Sequence, residues 1–401
     1  MINFPATRVL CYALLALAGC HTHVAPQMRP APAVPQLPVT PRTAIEPDVS
    51  AVPTDPAPPL TRPAEYRRLT AAECRRYAAA AAPFADDLDR HPENESPAHA
   101  KLMKKAAKTA EASRVVRGYA ADELRNRAAG DALGEFFKLA EAEGQFDLLT
   151  EAGAELRAPL ADAEQAERAG LKDRADTPAI RRKLLDIEAQ QAKLEGGIGA
   201  LNAGLRARLN LAANDPLSLW PADSLRVNPD DVDVAQALAT GSHYRPDLNA
   251  LRALANGVAD ELTDAVLTGI NPLLAKLKSD NPLALLFLPF TKEPARQQAS
   301  QRAAGALAAR ERQAEAEIRA AAATLRGYRA AVAARTLDVR AVEAKVAELE
   351  KRKAAGVNVT ADLAAAKLDL VKAKGDLLTS VIEWHTTEVK LRQAMGLLVR
   401  E

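Results

Sequence analysis

The stretch Lys351–Leu378, KRKAAGVNVTADLAAAKLDLVKAKGDLL, decides the fold. Charged helical periodicity stops at Gly356, crosses a few polar residues and resumes at Thr360. Glycine takes positive φ and ends a helix without steric cost. Thr360 is expected to cap the free N–H groups of the next helix, and Asp362 suits its positive end. The stretch therefore reads as the tip of an antiparallel helical hairpin.

The outgoing arm carries a heptad. Ile318, Leu325, Val332, Val339 and Val346 recur every seven residues. Ala321, Tyr328, Val342 and Leu349 fill the position three later, with Arg335 the exception. Such a pattern is a coiled-coil seam. A helix from Ala295 to Ala355 would be about 90 Å long. It must bury its stripe against something comparable.

The chain supplies that partner by repeating itself. A displacement of 186 residues places Gly170 on Gly356, Leu171 on Val357 and Asp176 on Asp362. Leu139 then falls on Leu325, Leu156 on Val342, Leu205 on Leu391 and Leu211 on Leu397, without a gap. Long arm, Gly turn and shorter return arm thus occur twice, the first return arm restarting at Thr177-Pro178. Two matched tips far from the rest of the fold suit a docking role.

Composition agrees. The chain has 401 residues, 48% of them hydrophobic but only 4% aromatic, and 26% charged. Excess Ala, Leu, Glu, Lys and Arg favours long helices. A net charge of +1 argues against nucleic acid as a partner.

Residues 1–19 read as an export signal: Arg8 precedes an apolar run too short to span a bilayer. Leu17-Ala18-Gly19-Cys20 resembles a bacterial lipobox, which implies cleavage before Cys20 and its acylation. His21, rather than Asp, follows the cysteine, and by analogy this favours the outer membrane. Cys74 stands alone in the mature region, so no disulfide framework is expected unless it pairs with an unmodified Cys20. Residues 20–64 form a tether: Pro26 to Pro63 holds 12 of the 26 prolines. That density is expected to exclude helix and sheet and leave an extended segment reaching up to about 100 Å.

Beyond it, Leu69–Ala81 reads as a short helix capped by Thr70, and Ser96-Pro97 as a helix start. Pro159 is expected to kink the first long arm. The two repeats take residues 65–215 and 234–401, joined by 216–233, where Trp220 serves as an anchor. Trp384 reads as core, and His385 as packed or solvated.

The order of these features resembles the TolC-like outer-membrane efflux proteins. The residues that carry the resemblance are AAGVNVTADLAAAKLDLVKAKGDLL, KLRQAMG ending at Gly396, YRPDLNALR (Tyr244–Arg252) and LTAAEC (Leu69–Cys74). It covers Leu69 to Leu398. It implies a mainly all-α fold of two tandem coiled-coil hairpins and a homotrimer whose hairpins form a periplasmic tunnel. It also implies an adaptor protein that meets the tips, and an inner-membrane pump beyond it. Gly170, Leu171, Asp176, Gly356, Val357, Asn358, Thr360 and Asp362 would then lie at the tunnel's periplasmic end. The chain departs from the family where membrane strands belong. Pro83–Pro97 is short and charged, and Leu267–Pro294 holds an apolar run without alternation. A strand needs about 9–11 alternating residues. The β-barrel is therefore expected to be reduced or missing, leaving the acyl anchor at Cys20 much of the membrane attachment.

No phosphate-binding loop, zinc-protease helix or nucleophile elbow occurs, and no cofactor or metal is expected. His21 and His23 do not make a metal site. The expected function is an efflux or export channel subunit in the bacterial envelope, not an enzyme. The alternative is a non-conducting periplasmic scaffold.

Overall fold

The computed structural model describes residues 39–41, 65–89, 104–169, 177–259, 294–357 and 359–400. Four long helices dominate: α3 (Lys104–Arg168), α4 (Thr177–Arg208), α7 (Pro294–Ala354) and α8 (Thr360–Ala394). Each repeat contributes one antiparallel pair, α3 with α4 and α7 with α8. The pairs join through α3 and α8, so the layer runs α4, α3, α8, α7.

Cross-links step in opposite directions along each pair, as antiparallel arms require. Arg208, Gln191 and Arg181 of α4 meet Glu135, Thr150 and Glu164 of α3 in turn. Arg335 and Lys345 of α7 face Asp376 and Asp369 of α8. Pro159 lies inside α3, which runs through it without a break.

The heptad seam does what its spacing predicts. Ile318, Leu325, Val332, Val339 and Val346 are all buried. Arg335 is exposed, so the one polar member of the seam stays in water and turns to Asp376 at 3.4 Å. Where α3 and α8 meet, small residues set the distance: a Cβ on Gly144 would come within 2.6 Å of a Leu378 methyl.

A smaller layer packs on the long helices. It contains α1 (Ala71–Ala80), α2 (Ala85–Asp89), α5 (Val234–Tyr244), α6 (Pro246–Ala259) and a short sheet. Thr70 caps α1 with a full capping box, accepting from the Glu73 N–H at 3.2 Å while Glu73 accepts from the Thr70 N–H at 2.9 Å. Asp233 caps α5. These caps reveal a second internal match. A displacement of 163 residues puts Thr70 on Asp233, Cys74 on Ala237, Ala78 on Gly241, Pro83 on Pro246 and Leu88 on Leu251. All of these but the caps and prolines are buried hydrophobes or glycine facing the long helices. The burial of Cys74 pushes its thiol far above the usual range, so it is an inert core residue.

The sheet order is β1 (Val39–Pro41), β2 (Glu65–Leu69), β3 (Leu219–Pro221). β1 is antiparallel to β2, and β2 parallel to β3. Trp220 is buried and meets Tyr66 edge-on at 5.2 Å, which anchors the segment between the repeats. β1 corrects the expectation that the proline-rich tether forms no sheet. Proline is tolerated on an edge strand, and β1 is an edge. Of the two segments on which the barrel expectation rests, Pro83–Pro97 is described as far as Asp89, where it forms α2, and Leu267–Pro294 lies outside the described residues except for Pro294; the helix start at Ser96-Pro97 lies outside them too. Among the described residues, no helix is long and apolar enough to cross a membrane.

Candidate functional site: the hairpin tips and the charged hub

The second tip is built as a Schellman turn. The Val357 N–H donates to the Arg352 carbonyl and the Gly356 N–H to that of Lys353, both at 3.0 Å. Gly356 sits at φ +83°, and a Cβ there would meet nothing within 4 Å. Only the backbone conformation, and not crowding, selects glycine here. Val357 is exposed.

The restart differs from expectation. Helix α8 begins at Thr360, but the N-cap position belongs to Val359, which makes no side-chain cap bond. Val359 is instead buried with Val346, Leu349 and Leu363. An apolar plug that joins the two arms replaces the hydroxyl cap, and burial of a valine outweighs one exposed hydrogen bond. Asp362 lies in the first turn of α8, where a carboxylate suits the helix dipole. Gly170, Leu171, Asp176, Asn358 and Cys20 lie outside the described residues. Helix α3 ends at Arg168 and α4 begins at Thr177.

At the opposite end of α8 a second Schellman turn closes on Gly396, at φ +74°. Its counterpart in the first repeat is Asn210, at φ +52°, where the Leu211 N–H reaches the Arg206 carbonyl at 2.9 Å. Asparagine tolerates this conformation, but Gly396 has a further reason to be glycine. A Cβ there would lie 2.8 Å from Arg245 Cα and the Tyr244 carbonyl oxygen.

That contact brings in a charged hub that sequence reasoning took only as a family signature. Arg245 forms a bidentate pair with Asp247 at 2.9 and 3.0 Å. It also donates to Glu317 at 2.7 Å and to the Ala394 carbonyl at 3.1 Å. Arg310 closes the ring, donating to Asp247 and Glu317 at 2.7 Å each. Burial alone would raise the Asp247 carboxyl, yet hydrogen bonds and charge from Arg245 and Arg310 hold it at about 2. Glu123, nearby, is raised by burial and by the charge of Asp247. Two cations and two anions alternate and satisfy one another. The hub therefore locks the α5–α6 corner to α7 and to the end of α8, and it leaves no free base or nucleophile. A groove of about 490 Å³ opens beside it, lined by Asn126, Arg127, Tyr328, Thr387 and Lys390 among others.

His385 is packed: it stacks on Phe137 at 5.0 Å and meets Trp384 edge-on. Among the described residues, no group of three His, Cys, Asp or Glu could hold a metal.

Sequence reasoning also missed two stripes on the outer helices. On α4, Leu185, Ala189, Ala192, Gly196, Gly199 and Ala203 alternate by four and three residues, and all are exposed. On α7 the same spacing runs from Ala316 to Ala344, through Gly327 and Leu337, exposed throughout and opposite the seam. A Cβ on Gly196, Gly199 or Gly327 would meet nothing within 4 Å. The signal was present as a second heptad, but alanine and glycine do not read as an apolar stripe.

Solved structures share this fold. The outer membrane protein VceC of Vibrio cholerae matches with a TM-score of 0.53 and 13% identity, over 81% of this chain and 92% of that one. The CmeC outer membrane channel of Campylobacter jejuni gives 0.51 and 12%, over 72% of this chain and 66% of that one. The outer-membrane channel OprN gives 0.51 and 14%, over 72% and 70%. The fold is that of the TolC-like outer-membrane efflux channels, in its mainly α-helical part. No protein-family model and no curated protein matches the sequence.

Proposed function

We propose that the chain is one subunit of an outer-membrane efflux channel, a homotrimer whose helical layers close into a periplasmic tunnel. The observation that carries this reading is the pair of small-residue stripes on the two outermost helices. Each chain presents one heptad stripe on α4 at one edge and another on α7 at the other edge. A patch that fits a different patch on an identical copy generates a ring when the rotation closes. Alanine and glycine at both surfaces let helices approach closely, with Leu185 and Leu337 as the large knobs. The likeness in fold to channel proteins supports the same assembly.

Acylated Cys20 holds the subunit to the outer membrane, and the hairpin tips face the periplasm. Gly356, Val357, Asn358, Thr360 and Asp362, with Gly170, Leu171 and Asp176 of the first tip, form the docking end for an adaptor protein and, through it, an inner-membrane pump. The exposed Val357 side chain and the tight glycine turn support this use. A photoreactive residue at Val357 should form an adduct with a periplasmic partner in cells. A tip that yields no adduct counts against docking.

Conductance of the purified trimer in a planar bilayer tests the channel itself. Discrete current steps are expected. Intact trimers without current would leave the non-conducting scaffold as the better reading.

A further inference from the structure

The edge strand β1 belongs to the tether, and its place in the sheet fixes how much of that tether is free. Val39 faces Arg67, Thr40 faces Tyr66 and Pro41 faces Glu65. We infer that β1 is a clip that sets the distance between the lipid anchor and the helical rod. The inference rests on the acylation of Cys20 and on tips that point away from the membrane.

The lengths make the point. The sheet sits at a known height along α3. The Leu219 N–H of β3 donates to Asn202 at 2.6 Å, and a few residues on, Arg208 of the same helix reaches Glu135 of α3 at 2.7 Å. Antiparallel packing, with Gln191 level with Thr150 as well, then puts β3 level with Ala140. From Ala140 to Lys104, the start of α3, the rise is about 55 Å. From Cys20 to Val39 there are 19 residue steps. Fully extended, they reach about 65 Å. The clipped anchor therefore reaches a membrane surface at the upper ends of α3 and α7, with about 10 Å to spare. With β1 paired to β2, the span to the anchor counts only the residues before Val39. Without the clip, the span would run from Cys20 to Glu65, 45 steps or about 155 Å. Losing ten residues anywhere in it would then be harmless.

Two equal deletions separate these cases. Removing residues 26–35 leaves a clipped reach of about 30 Å, short of the rise. Removing residues 47–56 leaves the clipped reach unchanged. Pairing is read from Val39→Cys with Arg67→Cys, joined by a short thiol-reactive cross-linker in isolated membranes; Cys74 is buried and does not compete. The full-length protein and the 47–56 deletion should cross-link in high yield. The 26–35 deletion should lose most of its cross-link and regain it when Cys20→Ser releases the anchor. Absence of the cross-link in the full-length protein overturns the clip, as does an anchored 26–35 deletion that cross-links fully. The mass of the N-terminal peptide reports acylation separately, so an unmodified Cys20 sinks the anchor reading while the cross-link in the same sample still judges the clip.

Discussion

Two glycines with the same backbone conformation have different surroundings, and this sets what each position tolerates. Gly356 stands in open space, so Gly356→Ala meets only the left-handed penalty of about 1–2 kcal/mol. Gly396→Ala adds a clash with the Tyr244–Arg245 backbone, and overpacking costs about 1–3 kcal/mol more. Denaturant melts should rank Gly396→Ala well below Gly356→Ala. Equal midpoints would mean that the α5–α6 corner does not press on the end of α8. The hub beside it gives a pH signature. Asp247 is depressed to about 2 in the folded chain, below its ordinary value in the unfolded chain. Its contribution is complete above the unfolded value near pH 4 and is lost as pH falls towards 2. Acid melts should show a loss of stability over that window. Asp247→Asn should reduce the acid dependence there and lower stability at pH 7 by about 3–5 kcal/mol, because Arg245 and Arg310 lose a buried partner.

At the scale of elements, the long arms were legible and the joints were not. A heptad of β-branched and aliphatic residues states both that α7 is a helix and which face it buries, and Ile318 through Val346 are buried as that spacing requires. The repeat was legible because Gly170 and Gly356 keep an ungapped register with their arms. The cap at Val359 was not, because local propensity ranks threonine above valine while the contact with Val346 and Leu349 is a tertiary fact. β1 was hidden for the opposite reason: proline density describes a local preference, and an edge strand needs only one partner. The hub was visible as a signature at Tyr244–Arg252, but its second arginine and acid come from α7, 63 and 70 residues beyond Asp247. The outer stripes belong to this scale too. Leu185 and Leu337 are 59% and 63% exposed, so Leu185→Glu and Leu337→Glu should leave the helix content of the single chain unchanged. Each should nevertheless separate the subunits, because a charge would be buried between copies.

For the whole molecule, a single layer of two helices about 90–100 Å long and two about 50 Å long buries only part of what its sequence makes apolar. The inner flanks are covered within the chain, and the two outer flanks are exposed; in the proposed ring a copy covers each. Native mass spectrometry of the detergent-extracted mature protein tests this most directly. Three chains are predicted for the natural sequence, and single chains for Leu337→Glu. A natural sequence that remains monomeric at micromolar concentration, or a Leu337→Glu protein that still assembles in threes, would contradict a ring closed by α4 and α7.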